Sequence, residues 1–158
     1  MMRRLMIGAI STAACTLSTP TFAQQGQFGT AQEARAMLDK AVAAVIANKD
    51  AALAMFNKGE NGFLDRDLYP FCSNASDGKF VAVGPNVKQL LGTDIRVLKD
   101  PTGKMYGQEL YAAAQKPAGQ ITEVSYMFTR PGTDNALLPK VTFVTKAGDL
   151  GCGVGYYK

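Results

Sequence analysis

Lys140 is the residue in this 158-residue chain whose setting is most suited to chemistry. It stands at the start of a β-type run among apolar neighbours. Strand alternation puts it on one face with Thr142 and Val144. An ammonium there would receive a small carboxylate, with Tyr126 across a sheet and Tyr106 from a preceding helix supplying hydroxyl and ring. The competing reading is an edge lysine reaching out to water. Arg96 and Arg130 are the other anion partners on offer, although Arg130, beside Pro131-Gly132, reads as a solvated loop charge. The chain has no histidine, so a Ser-His-Asp or Cys-His arrangement cannot be assembled. Its acids are scattered singly. Asp65-Arg66-Asp67 pairs two of them but lacks the further oxygen ligands and glycine of a calcium loop, and reads as a solvated turn. No catalytic residue, metal or cofactor is expected, and the chain does not read as an enzyme.

Gly151-Cys152-Gly153-Val154-Gly155 has the look of a phosphate-binding loop. Such loops need a helix N-terminus behind them, and only Tyr156-Tyr157-Lys158 follow here. The alternate glycines instead leave one face of a strand nearly bare, either for the alanine-rich helix to pack closely or for a ligand to occupy. Of the three cysteines, Cys15 falls in an N-terminal export segment, leaving Cys72 and Cys152. An even count in an oxidising compartment implies a disulfide, stabilising by roughly 4 to 5 kcal/mol for a loop of this length in the chain-entropy model. Two buried free thiols are the alternative.

The export segment has Arg3-Arg4, an apolar stretch from Leu5 to Leu17, and small residues in Thr21-Phe22-Ala23 before Gln24. Residues 1–23 therefore read as a cleaved signal peptide, since the stretch is shorter than the ~20 residues a bilayer requires. Residues 24–30 read as a flexible start and residues 31–158 as a single domain, placed in the periplasm or secreted, with no membrane insertion after cleavage. Lys and Arg number 17 against 13 Asp and Glu, a net charge of +4 that falls by two with Arg3 and Arg4. That is too mild to imply a nucleic-acid partner.

These candidate residues are positioned by a helix, a hairpin, short helical pieces and a meander. Thr30-Ala31-Gln32-Glu33 is a capping box. The apolar stripe after it (Ala34, Leu38, Val42, Val45, Leu53, Phe56) predicts one helix to about Lys58, ended by Gly59. Leu68 to Ser73 and Phe80 to Val83 flank turn residues and predict a β-hairpin. Asn86 can cap a short turn over Val87 to Leu91, Asp100-Pro101-Thr102-Gly103 is a turn, and Met105 to Lys116 is a helix. Val124, Tyr126 and Phe128 alternate in a strand from Ile121 to Thr129. Val141 and Phe143 mark the next strand, and Leu150 to Tyr157 the last.

Several phrases, in this order, resemble the single Cache domain of type 2: Leu68-Tyr69-Pro70-Phe71, Asp77-Gly78-Lys79-Phe80-Val81-Ala82, Leu91-Gly92-Thr93-Asp94, Leu98-Lys99-Asp100-Pro101-Thr102-Gly103-Lys104, Val124-Ser125-Tyr126-Met127-Phe128, Pro139-Lys140-Val141-Thr142-Phe143 and Gly153-Val154-Gly155-Tyr156-Tyr157. The resemblance covers the chain from roughly Ala31 onward. It implies an α+β, PAS-like antiparallel sheet of about five strands, with the long helix on one face and a small-molecule pocket on the other. It also implies that the first and last strands lie side by side, so that Cys72 and Cys152 are bridged. Tyr126 and Lys140 match the family's strand motifs, and Tyr106 is offered by location. The implied role is a sensor module for a small organic acid. Since no transmembrane helix or signalling module is evident after the domain, it would act through a separate membrane partner: a sensor kinase, a chemoreceptor or a transporter. The alternative is a ligand-free envelope protein that docks through its sheet or long helix.

Overall fold

The computed structural model describes residues 26–158; the expected signal peptide lies outside them. The capping box forms as the sequence requires: the Glu33 N–H donates to Thr30 Oγ1 and the Glu33 carboxylate accepts from the Thr30 N–H. Helix α1 runs over Ala31–Ala47. The helix then breaks where one continuous helix to Lys58 was expected. Asn48 is extended, its N–H donating to the Ala44 carbonyl to end α1, while its side chain accepts from the Ala51 N–H to start α2, Lys49–Lys58. Asparagine is among the best N-caps, so one residue both ends and restarts the helix. Because the apolar phase continues through the break, periodicity alone does not reveal it. The break lets α1 lie over the centre of the sheet while α2, on the same face, covers the β2–β1 edge. Gly59 closes α2 at φ 71°, a conformation glycine adopts without steric cost.

The sheet has five antiparallel strands in the order β2-β1-β5-β4-β3: β1 Pro70–Asn74, β2 Phe80–Ala82, β3 Thr122–Thr129, β4 Leu137–Ala147 and β5 Leu150–Tyr157. The hairpin and the meander thus appear as read. They join where β1 pairs with β5, and Cys72 stands directly opposite Cys152. These two are disulfide-bonded, 80 residues apart in sequence, and fully buried. Between hairpin and meander come two 3-10 turns, Pro85–Leu90 and Ile95–Val97, and helix α3, Tyr106–Ala114. The first turn begins at Pro85 without a side-chain cap, so Asn86 does not play that part.

Alternation along the strands divides the core into two layers. On one face Leu38, Ala41, Phe56, Cys72, Phe143, Cys152 and Val154 pack beneath α1 and α2. On the other Tyr69, Phe80, Ile95, Tyr106, Leu110, Val124 and Tyr126 pack beneath α3 and the 3-10 turns. The bare glycine face belongs to this second layer. A Cβ on Gly151 would strike Ala114 of α3, one on Gly153 would strike the Phe71 ring, and one on Gly155 would strike the Lys140 stem and Thr142. The close-packing element is therefore α3 and not the alanine-rich α1, and only Gly155 opens space at the candidate site.

Both outer strands have some of their outward backbone groups bonded by side chains. Along β2 the Asn57 amide donates to the Val81 carbonyl and accepts from the Val83 N–H. Along β3 the Asp100 carboxylate accepts from the Met127 N–H, and the Lys104 ammonium donates to the Ser125 carbonyl. Exposed edges of this kind are otherwise templates for strand addition.

Candidate functional site

Lys140, Tyr126 and Tyr106 come together in one cavity. Strand register is the cause: Lys140 is opposite Tyr126 on one side and Tyr157 on the other, and directly opposed residues share a face. Tyr106, the first residue of α3, lies flat on Tyr126 with ring centroids 4.0 Å apart and planes 8° from parallel. The Tyr126 hydroxyl lies 2.9 Å from Thr142 Oγ1, and either can donate. Tyr126 therefore keeps a proton for a ligand only when Thr142 is the donor.

Lys140 is neither an edge lysine nor solvated, being only 4% exposed. Its stem lies across Gly155. Its ammonium stands 4.9 Å from the ring centroids of Tyr69, Phe128 and Tyr157, and 3.4 Å from the Tyr69 hydroxyl. Cations over ring faces are attracted by the ring quadrupole. Among the described residues no carboxylate lies within ion-pair distance of it. Burial lowers the proton affinity of the amine, opposed by Tyr126 and by the more distant Asp67. Burial also pushes the Tyr69 and Tyr126 hydroxyls up to about 12, and Tyr106 likewise to about 12. These phenols remain hydrogen-bond donors across the physiological range.

Phe71, Phe80, Val83, Val87, Leu90, Leu98 and Leu110 line the rest of the wall, so among the described residues Lys140 supplies its only charge. The room left for the centres of water-sized spheres is about 30 Å³, enough for a water or two but not for an organic ligand. Sequence reasoning missed Tyr69 and Tyr157. The alternation Gly151, Gly153, Gly155, Tyr157 could have shown that Tyr157 joins Lys140, whereas Tyr69 precedes its strand and no period marks it.

The other two cations are elsewhere. Arg96 forks onto the Asp94 carboxylate and lies over the Tyr111 ring. Arg130 is not a solvated loop charge: its Nε–H donates to Asp67 at 2.9 Å, and the side chains are 11% and 2% exposed. Its guanidinium lies 3.5 Å from the Phe28 ring centroid and 4.9 Å from that of Tyr157. The Asp65-Arg66-Asp67 turn is correspondingly not solvated. Asp67 accepts a second bond from the Gly29 N–H. Arg66 pairs with Glu33 and Asp65 and donates to the Gly26 and Phe28 carbonyls. The segment leading into α1 is therefore fastened beside the pocket. No group of acids and cysteines suited to a metal ion occurs among the described residues, and none of their helices is long and apolar enough to cross a membrane.

Comparison with known proteins follows the same outline. Similar folds occur in a methyl-accepting chemotaxis protein from Vibrio parahaemolyticus, 24% identical with a TM-score of 0.61 over 80% of this chain and 86% of that one, and in the periplasmic sensor domain of a chemotaxis protein, 24% identical with a TM-score of 0.57 over 80% and 88%. Among curated proteins, none matches. The family model described as single Cache domain 2 matches residues 23–157. With the helix-backed sheet and its facing pocket in place, the match over nearly the whole chain settles the family: the protein belongs to the single Cache domains of type 2.

Proposed function

We propose that this domain is an extracytoplasmic sensor module that binds a small carboxylate in the Lys140 pocket and reports occupancy to a separate membrane partner. The observation that carries this reading is a buried ammonium with no carboxylate beside it, in a cavity that is otherwise apolar and aromatic. A buried charge is costly unless it is paired. A ligand carboxylate supplies the missing partner, Tyr126 or Tyr69 supplies a hydroxyl, and the Tyr106 ring covers the ligand body. A ligand enters as the rings part, because the pocket as it stands has room only for water-sized molecules. The chemotaxis sensor domains of similar fold support the sensing role, and no arrangement at the site supports catalysis. Docking through the sheet is the weaker reading, because both outer strands already have bonded backbone groups and both faces are covered.

A thermal-shift screen against small carboxylates, amino acids and amines tests the reading, since a ligand that binds only the folded state raises the melting temperature. Calorimetry on Lys140→Met then tests the site. Methionine keeps the aliphatic stem, so the protein should fold, while carboxylate binding should weaken by about 2 to 5 kcal/mol. No shift with any carboxylate, or undiminished affinity in the variant, would count against the proposal.

A further inference from the structure

We infer that carboxylate binding at Lys140 is coupled to proton uptake, so that the pocket takes in an anion and a proton together and its affinity falls as pH rises. The inference rests on the proposed carboxylate site and concerns how that site is regulated. Its basis is what surrounds the amine on every side. From β5 comes the Tyr157 ring, from β3 the Phe128 ring and the Tyr126 hydroxyl, and from the approach to β1 the Tyr69 ring and hydroxyl. Tyr106 of α3 closes over Tyr126. The acid whose charge acts on the amine, Asp67, is engaged by Arg130 and the Gly29 N–H. In the empty pocket nothing at contact distance neutralises an ammonium, and desolvation favours the uncharged amine.

A carboxylate changes that balance. Entering opposite a neutral amine, it would be a buried anion without a partner. Entering opposite an ammonium, it forms a charge-assisted hydrogen-bonded pair. Binding and protonation therefore favour one another, and by linkage each strengthens the other by the same factor. The tyrosines contribute little to this linkage near neutrality, because burial holds Tyr69, Tyr106 and Tyr126 up at about 12 and raises Tyr157 as well. Above the point at which the empty-site amine loses its proton, affinity should fall by up to tenfold per pH unit; below it, affinity should be flat.

The probe is propionate, titrated calorimetrically between about pH 6 and about pH 9, where simple carboxylic acids are wholly ionised. Measurements in phosphate and in Tris, buffers of different ionisation enthalpy, give the protons taken up per ligand. The expected result is an uptake rising toward one with increasing pH, together with weakening affinity. A parallel titration of the Lys140 side-chain NMR signals in ligand-free protein should show it deprotonating before the surface lysines. Lys140→Arg, which cannot lose its charge, should bind without the pH slope; if that variant does not fold, the wild-type proton count still decides. Binding without proton uptake, with Lys140 titrating like a surface lysine, would overturn the inference and leave the carboxylate site standing. Failure of propionate and the other screened carboxylates to bind at any pH would overturn both.

Discussion

Replacing Asp67 by Asn tests whether the fastening beside the pocket is structural. In the native protein the carboxylate accepts from the Arg130 Nε–H at 2.9 Å and from the Gly29 N–H at 2.7 Å. An asparagine of the same shape offers one acceptor and one donor group, so one of the two N–H groups must face another donor. The guanidinium also loses its counter-charge while only 11% exposed. Removing one partner of a buried ion pair costs about 3 to 5 kcal/mol. The Phe28 and Tyr157 rings stay against Arg130 in both proteins, so their cation–π attraction cancels in the comparison and the expected loss stays at about 3 to 5 kcal/mol. With a urea m-value of about 1.5 to 2 kcal/mol/M for a domain of this size, the unfolding midpoint should drop by about 1.5 to 3 M. Arg130→Met and the double variant complete a cycle. If the pair acts as a unit, the double variant should lose clearly less than the sum of the singles. A change within about 0.5 kcal/mol for Asp67→Asn, or additivity in the cycle, would refute the reasoning.

The disulfide should leave no thiol to alkylate without reductant, as intact mass will show. Changing both Cys72 and Cys152 to Ala should cost roughly 4 to 5 kcal/mol in chemical denaturation, the chain-entropy value for an 80-residue separation. The pH dependence should carry a contribution from Glu33, whose carboxyl is held down to about 2, chiefly by Arg66 and then by the Thr30 N–H. A carboxyl lowered on folding stabilises the protein above its unfolded value of ~4.3 and loses that contribution as pH falls through its folded value. Stability of Glu33→Gln should accordingly change less between about pH 5 and about pH 2 than that of the native protein, as urea titrations across this range will measure.

Local rules reached the parts of this molecule that local forces decide. The Thr30–Glu33 capping box, the alternation through Val124, Tyr126 and Phe128, and the glycines of β5 each encode a nearest-neighbour geometry, and each appears in the fold. Lys140 was legible because its strand partners could be counted. Asn48 was not, because its side chain serves as well in a solvated helix face as in a cap, and the apolar stripe passes it undisturbed. Arg130 was misread for the opposite reason: its turn residues are those of a solvated loop, while its partner Asp67 is 63 residues away. The cage around Lys140 likewise draws Tyr69 from a segment with no strand period of its own. Apart from the Cys72–Cys152 bridge, which the family resemblance implied, what the sequence did not supply was side-chain pairing across the fold.

The seam between β1 and β5 also has a meaning in time. The hairpin and the meander each join neighbours along the chain, whereas the seam joins Cys72 to Cys152 across 80 residues. Contacts of such separation are slow to find, since the loop must be closed before any of them contributes. The two halves of the sheet join neighbours along the chain, and we expect their union to be the late event of folding. A covalent link at that union acts chiefly as a brake on reopening: it restrains unfolding more than it hastens folding. In the proposed extracytoplasmic setting, away from the cell's refolding machinery, resistance to opening over long residence is the form of stability that counts.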